Sequence, residues 1–193
     1  MPVLILLAGP NGAGKTTAST DLLKDELRVD EFVNADAIAQ GLSAFRPEKA
    51  AMEAGRIMLQ RLHHLTNQRA SVAFESTLAS RTFAPWIRGL LENGYEFHLC
   101  YFWLPSADMS VERVRLRVRL GGHNVPEETI RRRYDAGLRN FFDLYQPIAT
   151  KWQFFDNEHP SGPRLIAEGS IGQDERISDV ALWHTIVDKY GHA

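Results

Sequence analysis

The octapeptide "GPNGAGKT", residues 9–16, leaves this chain few folds to choose from. It follows the short aliphatic run "VLILLAG" and leads into "KTTASTDLLKDEL" (15–27), a stretch of helical composition. An unbroken aliphatic run of that length reads as a strand buried on both faces. The spacing G-x-x-x-x-G-K-[ST] between a strand and a helix is that of a phosphate-binding loop. Gly9, Gly12 and Gly14 let the backbone curl so that successive amides converge on an anion with no Cβ in the way. The helix behind them adds the positive end of its dipole. Gly9, Pro10, Asn11, Gly12, Ala13, Gly14, Lys15, Thr16 and Thr17 are therefore the candidates to hold the phosphates of ATP. Among them Lys15 is placed to reach the β- and γ-phosphates, and the Thr16 hydroxyl to ligate Mg²⁺.

Downstream, short apolar runs alternate with helical patterns. Strands are predicted at 3–9, 31–36, 71–77, 95–104, 151–158 and 164–169. Helices are predicted over 47–65, 82–94, 126–145 and 174–190. The first of these has Pro47 at a first-turn position and Ala54, Ile57, Met58, Leu62 and Leu65 at helical spacing. No repeat, low-complexity tract or linker divides the 193 residues. The expectation is one α/β domain spanning 1–193: a three-layer P-loop kinase fold whose mostly parallel sheet carries helices on both faces.

The stretch "RVRLRVRLGGHNV" (113–125) fits two periods. Read as a strand, its arginines share one face and suggest a nucleic-acid edge. Read as a helix over 106–120, Val111, Val114 and Val118 form one stripe, with Arg115 and Arg119 beside it and Arg113 and Arg117 nearly opposite. The helix is preferred, because Ser106 is a plausible cap and parallel neighbours need a long crossover. Seven of the chain's 17 arginines lie between 113 and 133. Glycines, a histidine and a proline separate the two groups, so about 113–133 reads as an arginine-rich lid. Guanidinium forks there suit the charge gathered on a migrating phosphoryl group. The competing reading is two solvated helix faces with Glu112, Glu127 and Glu128 as partners.

The formal charge is only −2, so no global field draws the chain to nucleic acid or to an anionic membrane. The single cysteine, Cys100, lies in an apolar run and excludes a disulfide within the chain. "MPVLILLAG" has no basic lead and is too short to span a bilayer, which gives a cytoplasmic protein as the expectation. The seven histidines show no metal-site spacing. The chain lacks an "LSGGQ" helix start and an "NKxD" guanine-reading sequence, so transfer of the γ-phosphate is favoured over motor or switch roles.

Transfer needs an acceptor side. Asp36 follows the second predicted strand in "VNAD" and would face the crevice at the strand tips, where a carboxylate can accept a hydroxyl proton. On position alone it serves equally well as a helix cap. Glu75 and Thr77 end the third strand at the same rim and could hold an acceptor hydroxyl. Glu75 could also reach Mg²⁺ through water. Asn157 could touch the adenine edge or sit in a turn, and His123 reads as a lid packing or hinge residue.

Taken together, "GPNGAGKTT", "NADAIA", "EAGRIML", "ESTLAS" and "RVRLGGHNVPEETIRRRY" followed by "DN" resemble the zeta-toxin family of P-loop kinases, over about residues 3–167. The resemblance implies that Asp36 is the base and that Glu75 and Thr77 contact the acceptor. It implies that two lid arginines embrace the phosphates: Arg117 or Arg119 with Arg132 or Arg133. It names UDP-N-acetylglucosamine, phosphorylated at its 3′-hydroxyl, as candidate acceptor, and an antitoxin as a possible partner. The chain is shorter than the best-known members and lacks part of their sugar-nucleotide region. A nucleotide-dependent interaction module and a metabolite kinase of the shikimate or gluconate type are the alternatives.

Overall fold

A computed structural model describes residues 1–17, 29–159 and 161–191. Seven strands form one sheet in the order β2-β3-β1-β4-β5-β6-β7. They are β1 Val3–Ala8, β2 Glu31–Val33, β3 Val72–Ser76, β4 Glu96–Trp103, β5 Lys151–Asp156, β6 Arg164–Ser170 and β7 Arg176–Ile177. The first five run parallel; β6 runs antiparallel to β5, and β7 antiparallel to β6. The reversal follows from chain length: residues 157–163 are too few for the crossover that a parallel neighbour requires. The helices are α1 Ala35–Leu42, α2 Pro47–Asn67, α3 Phe83–Glu92, α4 Ala107–Arg119, α5 Glu127–Asn140 and α6 Val180–Tyr190. The chain is also helical at 15–17, and the rest of the helix predicted to 27 lies outside the described residues.

Central β1 is the aliphatic run expected, with Leu4 to Ala8 fully buried. On one face of the sheet Phe74 packs against Phe83 and Trp86 of α3. On the same face Tyr101 and Phe154 meet Phe141, and Trp152 stacks on Trp183 of α6. Described helices thus cover this face.

Three boundaries differ from expectation. β2 stops at Val33 because the Asn34 side chain accepts from the amides of Asp36 and Ala37, which starts α1 there. Asp36 therefore sits in the first turn of a helix, not at the end of a strand. The final helix begins only at Val180, capped by the Asp179 carboxylate, and Arg176–Ile177 pair with β6 instead. "RVRLRVR" is helical as preferred, with Ser106 accepting from Met109 N as its cap. Beyond Asn140 the helix widens into a π turn, Phe141–Tyr145.

That π turn and the end of α5 hold the tip of β3. Asn140 donates to Leu78 O at 2.7 Å, and Tyr145 donates to Ser80 O at 2.7 Å. Leu78 is buried at φ 56°, a left-handed conformation that costs a non-glycine residue about 1–2 kcal/mol. Gly137 lies so near Thr77 O that a Cβ there would collide with it. The segment bearing Glu75 and Thr77 is thereby set by contacts 60 residues away in sequence.

Candidate active site

The C-terminal tips of β1, β2 and β3, together with α4 and α5, enclose a cleft of about 770 Å³. Its floor is the glycine-rich loop. Gly9 has φ 141°, and a Cβ on it would run into Phe102 O of the neighbouring strand, so only glycine lets the loop leave the sheet here. Lys15 Nζ donates to Gly9 O at 2.8 Å and to Pro10 O at 3.0 Å, folding its ammonium back over the loop. Burial lowers the Lys15 pKa to about 8, against the opposing pull of Glu75 and Asp36. Pro10 contributes this backbone carbonyl and does not line the cleft; Asn11, Gly12, Ala13, Gly14, Thr16 and Thr17 do. Asn11 Oδ1 is buried and lacks a hydrogen bond.

Across the floor stands Glu75. It accepts from the Thr16 hydroxyl at 3.3 Å, and its other oxygen is buried without a partner. Burial raises its pKa, while Lys15 and the Thr16 hydroxyl pull it down. A hydroxyl and a carboxylate with spare lone pairs suit a hard divalent cation that keeps most of its water and phosphate ligands, as Mg²⁺ does. No group of three or more His, Cys, Asp or Glu among the described residues could cage a metal by itself.

Asp36 lines the same cleft and is exposed. The cap of α1 is Asn34, which removes the alternative task for Asp36. Among the described residues no ion pair engages its carboxylate, although its charge is felt at Lys15, Glu75 and Arg133. Thr77 lines the wall beside Glu75.

The seven arginines of 113–133 divide by partner. Arg115 pairs with Glu127 at 2.7 Å, and Arg131 pairs with Asp108 and Glu127 at 2.7 and 2.8 Å. These exposed pairs tie α4 to α5 over a small apolar core of Val111, Val114, Val125 and Ile130. Arg119 is exposed and does not line the cleft. Its position on α4 turns it away from the site, whereas Arg117, Arg132 and Arg133 line the cleft. Arg117 Nη2 donates to His123 O at 2.8 Å, and Gly122 N donates to Arg117 O at 2.9 Å, so "GGH" wraps around this arginine. This segment, read from the sequence as part of a lid with His123 as a packing or hinge residue, forms a clasp on Arg117.

Two placements were not legible in the sequence. Arg113, assigned to the far side of α4, is partly buried and donates to Asn157 O at 2.8 Å and to Glu158 O. Asn157, read from the sequence as an adenine-edge contact or a turn residue, is buried beneath the loop and donates from Nδ2 to Ala13 O at 2.6 Å. This hydrogen bond commits its amide to a backbone carbonyl of the loop.

Residues 1–158 match the family described as Zeta toxin. An uncharacterized protein of Haemophilus influenzae is 28% identical over 130 residues, covering 67% of this chain and 91% of its own length. The crystal structure of AvrRxo1-ORF1:-ORF2 with ATP superposes with a TM-score of 0.73 at 19% identity, over 96% of this chain. This chain spans only 63% of that one. The PezAT chromosomal toxin-antitoxin system of Streptococcus pneumoniae gives a TM-score of 0.64 at 15% identity, covering 99% of this chain and 78% of that one. At such identities the structural likeness speaks for the fold alone.

Proposed function

The chain belongs to the zeta toxin family, and from that premise we propose that it is an ATP-dependent phosphotransferase acting on a hydroxyl of a small molecule. The observation that carries the reading is a carboxylate, Asp36, that does not cap its helix and forms no ion pair among the described residues, on the wall of the cleft floored by Lys15 and the glycine-rich loop. In this reading the loop amides and Lys15 hold the ATP phosphates, and Thr16 with Glu75 would hold Mg²⁺. The cation supplies charge neutralisation at the phosphates when bound. Asp36 takes the proton of the acceptor hydroxyl as its oxygen bonds to the γ-phosphorus. The bond from that phosphorus to the β–γ bridging oxygen breaks, and ADP leaves. Arg117, Arg132 and Arg133 offset the charge of the group in transit. Glu75 and Thr77 orient the acceptor.

UDP-N-acetylglucosamine is the first acceptor to test, on family grounds. The test is ADP release with ATP and a panel of UDP-sugars, nucleosides and free sugars, with phosphorus NMR of the product. Acceptor-dependent ADP supports the kinase. No turnover with any acceptor, despite tight ATP binding, would favour a nucleotide-dependent interaction module. The complexes formed by the structural neighbours support a protein partner, an antitoxin, for this chain too. Co-expression with the adjacent reading frame and co-purification checks that.

Lys15 adds a pH test. Its pKa near 8 means that part of the population is neutral in mildly alkaline buffer. Bound phosphate favours the ammonium and so raises that pKa. Between the free and bound values binding takes up a proton, so affinity falls as pH rises. The Kd for ATP is expected to weaken about tenfold per unit above pH 8. Calorimetry in buffers of different ionisation enthalpy measures that uptake, and a flat profile from pH 7 to 9.5 would mean that Lys15 is charged before ATP binds; Lys15→Ala, expected to weaken ATP binding, then tests its contact with the phosphates.

A further inference from the structure

We propose that Asn157 is a positioning residue for phosphate binding, which keeps the Ala13 carbonyl turned out of the loop so that the neighbouring amides face in. The proposal rests on the reading that this loop holds nucleotide phosphates. A loop that binds an anion through its N–H groups must send its carbonyls elsewhere, and a buried carbonyl needs a donor there. The Ala13 side chain is fully buried, and its carbonyl accepts from Asn157 Nδ2 at 2.6 Å.

The brace is itself anchored on both sides. Asn157 N donates to Trp103 O at 3.0 Å, which extends the β4–β5 ladder by one residue. Asn157 O accepts from Arg113 of α4 at 2.8 Å. The packing leaves no slack: a Cβ on Gly14 would come within 2.9 Å of Asn157 Nδ2, and a Cβ on Gly12 within 2.9 Å of Arg113 Cβ. Arg113 lies one turn before Arg117 on the same helix. One connected set of contacts therefore fixes the loop's peptide planes and the placement of the arginine that faces the phosphates.

Without the Nδ2 donor the Ala13 carbonyl stays buried and unpaired, and rotation of the Ala13–Gly14 peptide toward the cleft relieves it. The Gly14 amide then leaves the phosphates. This effect falls on phosphate binding whatever base is attached, whereas an adenine contact falls on the base alone.

The test is titration calorimetry of ATP, GTP and inorganic tripolyphosphate, in Mg²⁺ buffer, against wild type and Asn157→Leu, which keeps the shape and removes the donor. All three ligands are expected to weaken by the same factor, about tenfold, the scale of one buried hydrogen bond. The number of sites per chain stays unchanged, whereas a folding defect lowers that number and leaves the affinity of the remaining sites as it was. Should Asn157→Leu not fold, Asn157→Ser, whose hydroxyl is too short to reach Ala13, is expected to give the same pattern. A loss confined to ATP, or unaltered affinity for all three, overturns the proposal. Wild-type protein that binds none of the three overturns the nucleotide reading and this inference with it.

Discussion

Asp36→Ala is expected to lower turnover by about 10²–10⁴-fold, the usual contribution of a positioned general base, while the Kd for ATP stays within a few-fold. The separation of the two effects follows from where the residue stands. In the proposed reading the phosphates meet the loop amides and Lys15, and among the described residues Asp36 holds none of these by a hydrogen bond; its own backbone amide donates to Asn34. Its charge does bear on Lys15, so removing it lowers the ammonium's pKa a little further and moves the pH dependence of binding to lower pH. Asp36→Asn sharpens the comparison, since it keeps the shape and loses only the basic oxygen. Steady-state rates with the acceptor found in the panel, set beside calorimetry, check both halves. Wild-type turnover in these variants would move the base elsewhere, and Glu75, already raised by burial, is the next carboxylate in the cleft.

The residues that the sequence made legible are those whose geometry is local. The phosphate loop is written in eight consecutive residues because its curl depends on glycines at fixed offsets, with a strand before and a helix after. The caps of α1 and α4 are local in the same sense, although "VNAD" was read as strand through Asp36, where the Asn34 cap wins over β propensity. What stayed hidden depends on contacts far apart in sequence. Ala13 and Asn157 meet across 144 positions, so nothing near "FFDNE" tells that its asparagine braces a loop near the N-terminus. The lid arginines can be counted in the sequence but not sorted: the resemblance offers Arg117 and Arg119 alike, and helical phase separates them without telling which flank faces the cleft. The packing of Val111 and Val114 against Val125 and Ile130 then fixed which side of α4 faces the cleft. The antiparallel turn into β6 follows from a short connection whose ends could not be located to the residue.

Arg117→Ala carries the other large expectation, a fall in turnover of about 10³-fold or more, the scale on which an arginine stabilises phosphoryl transfer. Arg119→Ala, two residues away and exposed, is expected to stay near wild type, so the pair separates a site effect from a general loss of positive charge. Arg117→Lys is expected to recover little, because one ammonium cannot span two phosphate oxygens as a guanidinium fork does. The clasp around Arg117 makes a further point. Gly122 N bonds to the Arg117 carbonyl, and a Cβ on Gly122 would come within 2.5 Å of Arg117 Cγ. Gly121 has φ 87° with open space where its Cβ would stand, so Gly121→Ala strains the backbone and touches nothing. Gly122→Ala is therefore expected to show part of the Arg117→Ala loss in kcat, and Gly121→Ala a loss of stability with kcat retained. If the two glycine variants behave alike, the loop is a simple connector and the guanidinium finds its place without it.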